Sequence, residues 1–72
     1  MERAEPGRHY EKRFAFAERA YIVSLISKSN GTTVEEVRLD SGVCGYISGI
    51  VFDTEDEALA SAHQLARNLI GV

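Results

Sequence analysis

Between Tyr10 and Ser29, aromatic and β-branched residues recur at every second position. Phe14 and Phe16 alternate with Ala15 and Ala17, and Tyr21, Val23 and Leu25 alternate with Ile22, Ser24 and Ile26. A period of two belongs to the β-strand, and here it predicts two strands joined by a turn at residues 17–19. A single helix over residues 11–28 is the competing reading, because Ala, Glu, Arg and Leu also favour helix. Tyr21-Ile22-Val23 weighs against it. β-Branched and aromatic side chains lose rotamer freedom in a helix, and the apolar residues of this stretch would cover every side of the wheel.

Further along, Ser29-Asn30-Gly31-Thr32 reads as a tight turn, since Asn-Gly accepts the left-handed conformations that hairpins need. Residues 33–40 then alternate, with Val37 and Leu39 on one face and Glu36, Arg38 and Asp40 on the other. Ser41-Gly42 breaks the pattern. Residues 45–52 are a further strand candidate carrying Ile47, Ile50, Val51 and Phe52, and Gly49 within it suggests a bulge or a close backbone approach.

The period changes to the helical one after Phe52. Thr54 is a natural N-cap, with Glu57 three residues later as a capping box requires. Glu55, Asp56 and Glu57 bring negative charge to the helix N-terminus, Arg67 stands near the other end, and Gly71 can close it in the left-handed conformation. Ala58, Leu59, Ala62, Leu65, Ala66, Leu69 and Ile70 fall in one arc of roughly 140°. The alanines among them let the helix lie close against a sheet.

The order strand, strand, strand, strand, helix, with short connections, implies antiparallel neighbours. The fold expected is α+β: an antiparallel sheet of three to four strands with one C-terminal α-helix packed on one face. Residues 1–9 hold Pro6, Gly7 and several charges and read as a flexible N-terminal arm, and residues 10–72 as a single domain. One helix covers one face of a sheet, yet the second strand is apolar on both sides. That pattern belongs to strands sandwiched between layers. A second copy of the chain is the simplest source of the missing layer, so a homodimer joined through the uncovered sheet face or an edge strand is expected, with Tyr21, Ile22, Val23, Leu25 and Ile26 as its interface.

Size and composition support the need for a supplement. A chain of 72 residues buries only about 60% of its unfolded surface, and small domains are usually reinforced by disulfides, metal or a partner. Cys44 is the only cysteine, so an intrachain disulfide is excluded. Cys44, His9 and His63 lack the close pairs that zinc sites use. The net charge is -3, made of +1 over residues 1–20 and -4 over the rest. An acidic body argues against a dedicated nucleic-acid binder. Without an apolar run near 18 residues or a secretory-type N-terminus, no membrane association is expected and a cytoplasmic location is.

Candidate chemistry is sparse. Cys44 reads as a small apolar filler without an adjacent cation. His63 sits at the edge of the helix's apolar arc, and His9 falls in the arm without a visible partner. Helix capping accounts for the acids at 53–57 without a metal. Tyr10, Phe14, Phe16, Tyr21 and Tyr46, with nearby basic residues, faintly resemble a base-stacking surface, which keeps a small nucleic-acid-associated regulator as an alternative. Glycines 42, 45 and 49 lack phosphate-loop spacing, and no nucleophile–base–orienter set is visible. No catalytic, metal or cofactor site is expected, and the chain reads as a non-enzymatic interaction module.

The run GYISGIVFDTEDEALASAHQLARNLI at residues 45–70 resembles a recurring bacterial pattern. In it a final strand ends at an aromatic, and Asp-Thr-x-x-Glu-Ala opens an amphipathic helix, as in short strand-rich proteins of unknown role. It is also similar to the strand-to-helix segment of HicB-like antitoxins, whose partial RNase-H-like domain has a comparable Thr-x-x-Glu-Ala helix start. That resemblance implies an accessory subunit that neutralises a partner protein. These residues show no DNA-binding segment of the antitoxin kind, and no functional residue carries over.

Overall fold

The computed structural model describes residues 7–47 and 49–71. Four strands, β1 (Arg8–Phe16), β2 (Arg19–Lys28), β3 (Gly31–Leu39) and β4 (Cys44–Gly45), precede one helix, α1 (Glu55–Ile70). The strands lie side by side in chain order, each neighbouring pair antiparallel. The helix packs on one face, mainly over β3. The arrangement is the α+β fold expected, and residues 10–28 form the hairpin. β1 begins at Arg8, within the stretch read as an arm; residues 1–6 of that arm lie outside the described residues.

Both hairpins turn on two residues. Ala17 and Glu18 connect β1 to β2 with φ of 53° and 64°, the pair of left-handed conformations that matches the twist of adjoining strands. Neither residue is the glycine or asparagine such a turn prefers. Between β2 and β3 the tip is Ser29-Asn30, and Gly31 already faces Lys28 in the ladder. The glycine is needed for a different reason from the left-handed tip expected. It has φ of 141°, and a Cβ there would run into the Phe52 carbonyl oxygen and come within 2.8 Å of Val51 Cγ1.

The core lies between the sheet and α1. Tyr21, Val23 and Leu25 of β2, Val34, Val37 and Leu39 of β3, and Ala58, Ala62 and Ala66 of α1 are buried. The three alanines are four residues apart and wholly covered, so the helix backbone comes close to the sheet along one ridge. Val34 and Val37 both point inward although they are three apart. The register shift opposite Ser24 and Leu25 inserts the extra residue that makes this possible and turns the intervening glutamates outward.

The fourth strand is much shorter than residues 45–52. Gly45 pairs with Val37, and Phe52 bridges Thr32 through reciprocal 2.8 Å hydrogen bonds. The outer chain takes seven residue steps where β3 takes five. Equal rise per residue leaves no place for the surplus in the ladder, so the segment bows away from the sheet edge through Gly49, at φ of 79°. The helix ends follow the reading closely. Thr54 Oγ1 accepts from the Glu57 amide at 3.2 Å, and Gly71, at φ of 83°, donates its amide to the Arg67 carbonyl at 2.9 Å.

Candidate interaction surface

Period two divides β1 into two sets of side chains. Tyr10, Lys12, Phe14 and Phe16 stand on the helix side, opposite Leu25, Val23, Tyr21 and Arg19; His9, Glu11, Arg13 and Ala15 stand on the open side. Because α1 seats its alanine ridge over β3, its next ridge, Glu55, Leu59, His63 and Arg67, overhangs β1. Four polar or aromatic contacts join the two elements. Tyr10 donates its hydroxyl to Glu55 Oε2 at 2.8 Å, and Lys12 Nζ reaches the same oxygen at 3.2 Å. Phe14 meets the His63 ring edge-on at 4.6 Å, and the Arg67 guanidinium stands 5.3 Å from the Phe16 centroid.

These contacts set the local electrostatics. The hydrogen bond from Tyr10, with that from Lys12, holds the Glu55 carboxyl below its ordinary value. Burial, reinforced by Glu55, pushes the Tyr10 phenol up. Tyr21 is raised by burial, partly opposed by Arg67. Its hydroxyl shares a 2.7 Å hydrogen bond with His63 Nδ1, whose direction follows the imidazole tautomer. His63, read from sequence as a boundary residue, is therefore a half-buried part of the helix–sheet joint.

The five residues expected at an interface separate into two groups. Tyr21, Val23 and Leu25 lie under α1 at 4%, 0% and 0% exposure; within one protomer they are already covered. Ile22 and Ile26 face the open side and are half-buried. They do not make a continuous apolar face. Ile22 sits between Arg13 and Arg38, Ser24 between Glu11 and Glu36, and Ile26 between His9 and Thr33. Arg38 donates to Glu36 at 3.1 Å, and His9 Nδ1 lies 3.4 Å from Glu35. Long charged side chains shield the isoleucines with their stems while keeping their heads in water. The depression between Arg13, Ile22, Arg38 and Asp40, about 300 Å³, is open and shallow.

Two other surfaces stand out. Val43, Tyr46, Ile50 and Val51 are exposed around the bowed segment, although Ile50 and Val51 read as strand surface. Among the described residues no strand pairs with the outer edge of β1, which runs nine residues. Its aromatic stripe is only partly covered: Tyr10 and Phe14 are half-buried and Phe16 is 36% exposed. Cys44 is half-buried and directs its thiol to the Gly42 carbonyl at 3.4 Å. Among the described residues no three His, Cys, Asp or Glu side chains converge as metal ligands, and no helix is long and apolar enough to cross a membrane.

No protein-family model, curated protein or solved structure matches the chain.

Proposed function

We propose that this protein is a non-enzymatic interaction module that works as a homodimer, joined through its sheet, in the cytoplasm. The observation that supports it most is the end strand β1, whose outer edge pairs with no strand among the described residues and whose aromatic stripe is incompletely covered. Exposed strand edges are templates for further pairing, and native proteins keep most of them short, bulged, charged or covered. The small core adds to the case, since a second chain is the remaining reinforcement once an intrachain disulfide is excluded.

A base-stacking role is less well supported. Tyr10, Phe14 and Tyr21 are turned toward α1 and engaged by Glu55 and His63, which leaves the open face to charges of both signs. The reading predicts a dimer by sedimentation equilibrium at micromolar concentration. A strictly monomeric chain overturns it. Stoichiometric capture by a different protein, with no self-association, would replace it with the HicB-like accessory-subunit reading, and a salt-sensitive mobility shift with RNA or DNA would replace it with the regulator.

A further inference from the structure

We propose that the second copy joins antiparallel along β1 with Lys12 on the two-fold axis, merging the two sheets into one with both helices on the same face. This rests on the homodimer reading and specifies its geometry.

Backbone polarity comes first. Phe16 and Arg19 flank a two-residue turn, so they form a hydrogen-bonded pair and such pairs alternate from there. Even-numbered residues of β1 therefore direct their amide and carbonyl to β2. The Asp40 amide donating to the Ala20 carbonyl at 2.9 Å agrees, since it assigns even residues of β2 to β3 and leaves odd ones for β1. On β1, then, His9, Glu11, Arg13 and Ala15 aim their backbone groups away from β2, on the side where no described strand pairs. Antiparallel self-pairing must set one of these against another. Such registers place the two-fold perpendicular to the sheet, which puts both helices on one side.

Charge then selects the register. An axis through Glu11 sets that residue against itself, and an axis through Arg13 does the same for arginine. Each is penalised, because like charges directly opposite destabilise a ladder. An axis through Lys12 sets Glu11 against Arg13 of the second copy, twice, and His9 against Ala15, twice. It also lets all nine residues of β1 overlap, forming about eight interchain backbone hydrogen bonds. Residues 10–14, Tyr-Glu-Lys-Arg-Phe, are symmetric about Lys12 in size and opposite in charge, which is what self-recognition by an antiparallel strand requires.

The helix side fits the same register. Tyr10 falls opposite Phe14 of the second copy, in the closer, non-hydrogen-bonded kind of pair, so the half-covered aromatics meet across the joint. One element opposes the pairing: Lys12 faces Lys12. Glu55, 3.2 Å from that ammonium, supplies an anion on each side of the axis.

The test is charge exchange combined with cross-linking. Glu11→Arg and Arg13→Glu should each weaken dimerisation by about tenfold or more, and the double variant should restore it. In a Cys44→Ser background, Lys12→Cys should form a covalent dimer under mild oxidation, because facing non-hydrogen-bonded positions lie within disulfide reach. Glu11→Cys, two positions out of register with its own copy, should not. A dimer indifferent to the charge variants, with no selective link at position 12, overturns this register while leaving the homodimer intact. A chain monomeric at every concentration overturns both.

Discussion

At the scale of single residues, two positions hold conformations that their side chains do not favour. Ala17 and Glu18 both occupy the left-handed region, at a cost of about 1 kcal/mol or more for each residue with a Cβ. Local sequence here contributes little to the turn; the long ladder on either side imposes it. Replacing the pair by Asn-Gly should therefore raise stability by about 1–2 kcal/mol, read as a shift in denaturation midpoint at constant slope. An unchanged or lower midpoint would mean that the turn conformation is not the one described. Gly31 is the opposite case. Its residue type suits its place, yet Phe52 imposes the requirement from twenty-one positions away, which no local turn rule contains. The Tyr21–His63 hydrogen bond, between residues 42 apart in the chain, was invisible for the same reason.

At the scale of elements, legibility followed how local the determining physics is. The helix was legible because Thr54, Glu57 and Gly71 act on the nearest turn, and the alanines recur at the helical period. The β1–β2 hairpin was legible through its period-two alternation. β3 was read as a strand from residue 33, but its inward face was read only at Val37 and Leu39, because the bulge that brings Val34 and Val37 to one side depends on the facing strand. The bowed segment after β4 misled the reading: Ile50 and Val51 have strand-like side chains, but the chain is too long for the ladder it would join. The joint between β1 and α1 carries a pH dependence of its own. Glu55 titrates below its ordinary value in the folded state, through Tyr10 and Lys12, so its contribution is present above the unfolded pKa and lost as pH falls through the folded one. Stability measured from about pH 5 to about pH 3 should thus fall less steeply in Glu55→Gln than in the native chain. Identical slopes would show that the carboxylate's contacts add nothing.

At the scale of the whole molecule, the reasoning that a second copy is needed changes its basis. The sequence suggested a two-faced apolar strand wanting a second layer; the fold covers Tyr21, Val23 and Leu25 itself and screens Ile22 and Ile26 with charged neighbours. What the described residues leave open is the edge of β1, with its backbone groups and its aromatic stripe, besides the exposed side chains of the bowed segment. The symmetric run around Lys12 was present in the sequence, but it gains meaning only once β1 is known to be the end strand. Sheet order depends on pairings across the entire chain and is not written at any one position.

Residue-resolved amide exchange measures that edge directly. In a lone protomer, alternate β1 amides are protected by β2 and those of His9, Glu11, Arg13 and Ala15 are not. The account predicts that these four are also protected in a concentrated solution, and that within β1 their protection alone is lost on dilution. Fast exchange of His9, Glu11, Arg13 and Ala15 at every concentration, with Tyr10, Lys12 and Phe14 still protected, would contradict it.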